Sequence, residues 1–327
     1  MEIFNHNANV NFLGIRKYTI GLAALLMIVS VGLIFTKGLN YALDFTGGIS
    51  VEVSYPQPTD VGQVRAALQK HGFENPLVQS LGGSRQMSIR LQAKEDTADA
   101  TAAGSKGSVS SSTAADKVAN DVLNALKAET PGVTMTSHSF VTSAVGDEVK
   151  SDGSVAAIFV IIGIGLYLWM RFERRFAIAA LVTEVHDVLV TLGVIALVQR
   201  EFDLTVLASV LAVIGYSIND KVVVFDRIRE LFRSARKAEP EEILNRSINT
   251  TLSRTIITSL FTGITMAALY FIGGPAVEGF AVTMLIGIVV GTLSSIFVAS
   301  PILLWLGVSK KDLMPVTKEN SELARRP

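Results

Sequence analysis

The sequence predicts an α-helical polytopic membrane protein with six transmembrane helices and one α+β, ferredoxin-like domain between the first and second helices. Composition supports this fold class, because 49% of the 327 residues are apolar and only 18% are charged, against about 25% in soluble domains. Six apolar segments approach the length of about 17–25 residues that crosses a bilayer. The one long stretch without such a segment shows strand and helix patterns in alternation.

The six apolar segments define the predicted membrane part of the chain. They cover residues 18–36, 155–170, 177–198, 204–224, 255–272 and 280–306. The first follows Arg16 and Lys17 and is not followed by an A-x-A cleavage site, so we expect an uncleaved anchor rather than a signal peptide. The other five should form one helical bundle over residues 155–306.

The distribution of charge predicts the orientation of the chain. With residues 1–17 on the inner side, the predicted inner segments hold 18 basic and 10 acidic residues, and the outer segments hold 11 basic and 16 acidic residues. The predicted inner segments are residues 1–17, 171–176, 221–254 and 307–327. Short inner loops of membrane proteins carry an excess of Lys and Arg. Both termini, residues 1–17 and 307–327, are therefore predicted to be cytoplasmic.

The outer loop, residues 37–154, contains six predicted elements in the order β-α-β-β-α-β, which is a split β-α-β sandwich. Alternating apolar side chains predict its first strand, and Thr59-Asp60 should cap a helix that stops at Gly72. The predicted strands are 49–55, 77–81, 86–91 and 133–141, and the second helix is 114–128. Residues 94–113 are rich in Ala, Ser, Thr and Gly and should form a flexible surface insertion, because they bury little apolar area.

The residue inventory excludes several classes of chemistry. The chain has no Cys and only 4 His, so disulfides, thiol nucleophiles and thiolate metal sites are excluded. His186-Asp187 lacks the H-E-x-x-H spacing of zinc proteases, and residues 104–108 lack the spacing of a phosphate-binding loop. The composition also argues against a protein that coats nucleic acid. We predict no catalytic residue, no metal site and no cofactor.

Two charged residues lie near the ends of the fourth and fifth predicted spans, at similar depth. Asp220 lies about 24 Å below Leu204, and Arg254 lies about 26 Å below Phe271, at 1.5 Å per helical residue. Antiparallel neighbours would bring them to one level, where a carboxylate beside a cation could bind and release a proton. Charges inside a span usually mark an ion or substrate path. A static ion pair that fixes helix packing is the alternative.

The third predicted span supplies a second set of polar residues. Glu184, Asp187 and Thr191 share one helical face, whereas His186 should face elsewhere. Glu184 and Asp187 are therefore candidates for a proton path. Asn219 of the fourth predicted span is a further candidate. Alternatively, Asp187 braces a neighbouring backbone, and Glu184 lies near interfacial water.

Four motifs are spread over nearly the whole chain. They are the run 216–230 with Asp220, the segment Asp44-Phe45-Thr46-Gly47-Gly48 outside the first span, Gly273-Gly274-Pro275 leading to Glu278-Gly279-Phe280, and His186-Asp187 followed by Thr191-Leu192-Gly193. Together they resemble the SecF family, the smaller half of the bacterial SecD/SecF protein-export complex in the resistance-nodulation-division superfamily.

The resemblance implies a function and partners. SecF-like proteins are not enzymes; they pair with SecD, act beside the SecY/SecE/SecG translocon and associate with YajC and YidC. They use the proton gradient to help pull or release an unfolded polypeptide on the outer side. The resemblance implies that Asp220 and Arg254 form the proton-relay pair, with membrane lipid around the spans. It also implies a bacterial inner-membrane location with the large loop in the periplasm.

A second function class stays open at this point. A chain with six spans could also be half of a proton-coupled drug or lipid exporter of the same superfamily. An exporter should present an apolar substrate cleft between outer domains, and the single small outer domain predicted here offers none.

Overall fold

The computed structural model describes residues 10–73, 76–81, 84–91, 108–234 and 238–309. The predictions for residues 1–9, for the first part of the insertion (residues 94–107) and for residues 310–327 of the tail lie outside the described residues.

Six helices of the described chain are long and apolar enough to cross a membrane. They are the first span Arg16–Thr36, the second Ser143–Arg171, the third Arg174–Val198, the fourth Leu204–Ser234, the fifth Pro240–Ile272 and the sixth, which joins Pro275–Ser294, a π-helical turn Ser295–Ala299 and Ser300–Trp305. The fourth span runs ten residues past the predicted end at residue 224. Hydropathy marks the lipid-facing stretch, whereas the Arg and Glu residues beyond it are good helix formers that continue the helix.

The strands form two sheets. They are β1 (Asn40–Tyr41), β2 (Gly48–Ser54), β3 (Leu77–Ser80), β4 (Gln86–Leu91), β5 (Thr134–Val141) and β6 (Glu201–Phe202). The four central strands form an antiparallel sheet in the order β3-β4-β2-β5, which is the split β-α-β arrangement. The predicted α+β fold class between the first and second spans is confirmed.

Two helices pack on the four-stranded sheet. They are Val61–Lys70, which Asp60 caps by accepting a hydrogen bond from the Gly62 amide at 2.8 Å, and Ser108–Glu129. Their apolar faces meet the sheet in a core of fully buried residues that includes Val51, Leu68 and Ile89. The α+β domain therefore has its own hydrophobic core, separate from those of the membrane bundle.

The second domain helix is longer than the sequence predicted. It begins at Ser108, so the part of the predicted insertion from residue 108 to residue 113 is helical, and the expected start at Ala114 is wrong. This stretch contains no Gly or Pro to stop the helix, and extending an existing helix fixes only one residue for each hydrogen bond gained. Compositional bias alone therefore overestimated the length of the irregular segment.

A second, two-stranded sheet connects the α+β domain with the bundle. β1, just after the first span, pairs in parallel with β6, between the third and fourth spans. The rings of Tyr41, Phe45 and Phe202 pack together with centroids 5.7–5.8 Å apart. Phe45 and Phe202 also share an apolar cluster with Ile195 and Val206 of the third and fourth spans. Neither two-residue strand was predicted, because strands this short leave no periodicity.

Glycines bring four spans into close contact in pairs around the polar interior. A Cβ on Gly193 of the third span would lie 2.3 Å from the Ser30 side chain of the first span. A Cβ on Gly287 of the sixth span would lie 2.2 Å from Val213 of the fourth, and one on Gly291 would lie 2.7 Å from the Ser217 hydroxyl. Small residues permit such close helix packing in membranes, and here they place the sixth span against the polar face of the fourth.

Candidate functional site

The ammonium of Lys221 is a fully buried charged group inside the described spans. Its side chain has no solvent exposure. The Nζ donates to Glu184 Oε2 at 2.6 Å, to Asp187 Oδ2 at 2.8 Å and to Ser217 Oγ at 2.7 Å. An ammonium has three donors, so all are used. Glu184 and Asp187 of the third span and Lys221 of the fourth are called the membrane cluster below.

Asp187 has polar contacts at both of its carboxylate oxygens. Its Oδ2 accepts from Ser217 Oγ at 2.6 Å, from Ser294 Oγ at 2.6 Å and from Lys221. Its Oδ1 lies 2.9 Å from His186 Nδ1, so His186 contacts Asp187 and the prediction that it faces elsewhere is wrong. Adjacent residues on a helix point about 100° apart, but the imidazole is long enough to turn back to its neighbour.

Glu184 and His186 each retain one buried polar atom without a hydrogen-bond partner among the described residues. These atoms are Glu184 Oε1 and His186 Nε2. The side chains are 7% and 9% exposed. Buried polar groups are nearly always hydrogen-bonded, so the two atoms distinguish Glu184 and His186 from Asp187. Within the membrane cluster, Asp187 therefore has partners at both carboxylate oxygens, whereas Glu184 has a partner at only one of its oxygens among the described residues.

Asp220 precedes Lys221 and is also buried, with 3% of its surface exposed. Its Oδ2 has no hydrogen-bond partner among the described residues. The carboxylate interacts electrostatically with Lys221 and Arg254, but no ion pair within 4.0 Å joins Asp220 to Arg254 in the described chain, and Arg254 is exposed on the fifth span. The two residues are therefore near each other without forming the close static pair considered above.

The other predicted residues lie in different places. Asn219 is exposed on the fourth span. The segment Asp44 to Gly48 lies far along the chain from the cluster, at the connection between the α+β domain and the bundle. Asp44, Phe45 and Thr46 belong to the helical turn Leu43–Thr46, where Asp44 Oδ2 accepts from the Leu204 amide at 3.3 Å at the start of the fourth span. Gly47 and Gly48 have φ of 66° and 124°, which L-residues rarely adopt.

A second ionic group lies at this connection. Arg90 of β4 forms an ion pair with Glu201 of β6 and donates from Nη1 to the Tyr41 carbonyl of β1 at 3.2 Å. Burial raises the pKa of the Glu201 carboxyl, the Arg90 guanidinium opposes that rise, and the nearby Asp203 and Asp44 carboxylates add to it. Arg90, Glu201 and the two aspartates are called the junction cluster below.

Comparison with known proteins assigns the chain to a family. Residues 121–309 match the family described as protein export membrane protein SecD/SecF, C-terminal, and residues 32–58 match the SecD/SecF GG motif. The chain belongs to the SecD/SecF family of protein-export membrane proteins. The resemblance on which the sequence analysis relied is confirmed, and the GG motif contains the Asp44 to Gly48 segment at the junction.

Relatives within the SecD/SecF family match along nearly their whole length. The chain is 39% identical over 308 residues to the protein translocase subunit SecF of Pseudomonas aeruginosa, covering 94% of each chain. It is 40% identical over 329 residues to the protein of the same name from Vibrio alginolyticus, covering 100% of this chain and 99% of that one. These similarities and the six spans support a multi-pass accessory subunit of the Sec protein translocase.

A solved structure of the SecD/SecF family supports the fold. The crystal structure of SecDF from Thermus thermophilus, described as a translocon-associated membrane protein, superposes with a TM-score of 0.78 at 31% identity. The match covers 93% of this chain and 39% of that chain. A second SecDF structure, in a super-membrane-facing form, superposes with a TM-score of 0.65 at 32% identity. The chain thus spans about two fifths of the SecDF chain.

Sequence reasoning missed the residue at the centre of the SecD/SecF membrane cluster. Lys221 was counted among the inner residues, although it also lies within the predicted fourth span, residues 204–224, and it was not proposed as a site residue. A signal was present in the sequence: Ser217 and Lys221 are four residues apart and therefore share a helical face. The same spacing argument that grouped Glu184 with Asp187 predicts a facing partner on a neighbouring span.

Proposed function

We propose that this chain acts with SecD to promote late steps of polypeptide export across the bacterial inner membrane, driven by the proton gradient. The observation that carries the proposal is Asp220, a buried carboxyl inside a span with one oxygen that lacks a hydrogen-bond partner in the described chain. Ionisable residues within spans are costly and typically line ion paths or proton relays. No catalytic group, metal or cofactor has a part in this proposal.

Asp220 is the proposed proton carrier, and Arg254 sets its charge. A cation nearby stabilises an ionised carboxyl, whereas apolar surroundings oppose ionisation. Moving the fifth span relative to the fourth would change the distance between the two side chains and hence whether Asp220 holds a proton. One elementary charge that crosses the membrane potential supplies about 2.3 kcal/mol per 100 mV. That is sufficient to shift a two-state arrangement of helices by tens of fold.

The exposed face of the fifth span supports a membrane partner. Only 6% of the most apolar stretch of this helix is buried within the chain, and Arg254 lies exposed on it. An exposed arginine at membrane depth is expensive, so this face is proposed to pack against SecD. Co-purification from solubilised membranes tests this partner, and the same experiment tests association with SecY/SecE/SecG, YajC and YidC.

The proposed orientation places both termini in the cytoplasm and the α+β domain in the periplasm. The excess of basic residues in the predicted inner segments supports it. In this orientation the α+β domain lies on the side where an exported, unfolded polypeptide emerges.

Export from inverted membrane vesicles tests the relay. Asp220→Asn preserves the size of the side chain but cannot carry a proton, so export without a gradient should be unchanged and its stimulation by the gradient should be lost. Asp226→Asn is the matched control, because Asp226 lies on the same helix and its side chain is 38% exposed in an ion pair with Arg171. Gradient-stimulated export by Asp220→Asn, at matched protein levels, would contradict the proposal.

A further inference from the structure

We infer that Glu184 is a second proton-binding site within the spans, and that Lys221 is the positioning residue whose ammonium allows Glu184 to release that proton. The inference deepens the proposed function and rests on it only for its consequence for export. The binding site itself is argued from the buried contacts of the membrane cluster.

The charge count of the cluster requires a proton. Two carboxylates, Glu184 and Asp187, contact one ammonium, Lys221, and all three side chains are at least nine-tenths buried. With both carboxylates ionised and the ammonium charged, the three side chains of the cluster carry one net negative charge. Isolated charge in a dry interior is strongly disfavoured. One bound proton makes the cluster neutral, and a second would leave an unbalanced positive charge.

The hydrogen bonds identify which group holds that proton. Both oxygens of Asp187 have polar partners, two hydroxyls and an ammonium at Oδ2 and His186 Nδ1 at Oδ1, so its ionised form is the better stabilised of the two carboxylates. Glu184 accepts from one donor only, at Oε2, and its Oε1 has no partner among the described residues. An ionised carboxylate with one buried, unbonded oxygen is costly, whereas a carboxylic acid with its proton on Oε1 leaves the Lys221 contact at Oε2 intact.

The neighbouring spans contribute few other charged groups near the membrane cluster. The third span adds His186, and the fourth adds Asp220. The sixth span contributes the Ser294 hydroxyl, and Glu278, its one charged residue in the described chain, is paired with Arg200 at 2.7 Å beyond the third span. The first span carries charge only at its start, at Arg16 and Lys17, and the second span lacks charge along its apolar stretch. The fifth span contributes Arg254, which interacts with Asp220.

Lys221 links the two proton sites. It contacts Glu184 directly and interacts electrostatically with Asp220. When Glu184 takes up a proton at Oε1, no covalent bond other than the O–H bond changes, and the net charge of the cluster rises from minus one to zero. The negative charge that opposed ionisation of Asp220 is then removed. Uptake of a proton at Glu184 therefore favours the release of a different proton from Asp220.

Infrared difference spectroscopy of the full chain, co-purified with its partner in lipid and labelled with ¹³C at glutamate carboxyls, tests the inference. A carboxylic-acid band from a buried glutamate should change with pH in the wild type and in Asp220→Asn. The band should be absent in Glu184→Gln and present in the control Glu230→Gln, whose side chain is 65% exposed. A wild type without such a band, or a band that persists in Glu184→Gln, would overturn the inference.

A second variant tests the positioning role of Lys221. Lys221→Met combined with Asp187→Asn removes one positive and one negative charge together, so the helices keep their charge balance. Without the ammonium, Glu184 should stay protonated over the whole accessible pH range, and its band should no longer titrate. A titration unchanged from the wild type would show that Lys221 has a packing role only. The spectra are independent of export, so a failure of the relay proposal in vesicles leaves them interpretable.

Discussion

The junction cluster and the membrane cluster use the same combination, one cation among several carboxylates, in different surroundings. At the junction, the Arg90 and Glu201 side chains are 8% and 32% exposed. Within the spans, the Lys221 and Asp187 side chains have no exposure. The junction also contains backbone pairing between β1 and β6, whereas the membrane cluster is joined only through side chains. The ion pair near water thus supports contacts that exist without it, whereas the fully buried pair itself forms a contact between two spans.

The largest effect is expected from Lys221→Met. This change leaves Asp187 and Glu184 without a cation in a dry interior, and breaking a buried pair by removing one partner costs about 3–5 kcal/mol. Thermal unfolding of the purified complex in detergent should show a large fall in midpoint temperature. Asp187→Asn added to Lys221→Met should recover part of the loss. If the double variant were as unstable as the single one, charge balance would not be the cause.

Arg90→Met should have a smaller effect on stability. The guanidinium donates to the Tyr41 carbonyl and pairs with Glu201, but water can reach the remaining carboxylate, so we expect a loss of about 1–2 kcal/mol. The same unfolding measurement checks this value, with Arg85→Met on the same domain as the control. A loss as large as that of Lys221→Met would show that exposure does not separate the two clusters.

How far the sequence predicted these two regions depends on the range of the signal. Spans and the β-α-β-β-α-β order follow from periodicity within one segment, and both were predicted. Glu184 and Asp187 were grouped because they share a helix face. The contact of Lys221 with Glu184 and that of Arg90 with Glu201 join residues 37 and 111 positions apart, as the differences in their numbers give. No local pattern encodes which helix faces or strands will meet.

The pH dependence of stability should show the contribution of Glu201 in the junction cluster. Burial raises the pKa of Glu201, so between its ordinary and its raised value the folded state binds more protons than the unfolded state. Stability therefore falls as pH rises through that window. Unfolding measured from pH 4 to pH 8 should lose this component in Glu201→Gln and retain it in the exposed control Glu148→Gln. An unchanged profile in Glu201→Gln would place the titrating group elsewhere.

The smallest loss of stability is expected from removing the exposed ion pair of Lys70 with Glu129. Lys70 donates to Glu129 at 2.7 Å across the two domain helices, and this hydrogen bond is the main cause that lowers the pKa of Glu129. The stability that ionised Glu129 contributes is fully present above the ordinary pKa of a glutamate and is lost as pH falls through the lowered pKa. Solvent and salt screen such a pair strongly. Lys70→Met should therefore lower the unfolding temperature less than Arg90→Met at pH 7, and its difference from the wild type should shrink as the pH falls through the lowered pKa of Glu129. Exchanging the two residues, Lys70→Glu with Glu129→Lys, should restore the wild-type unfolding temperature at pH 7.

If Lys70→Met lowered the unfolding temperature more than Arg90→Met, exposure would not govern the strength of these pairs. The contrast between the junction cluster and the membrane cluster would then need another cause.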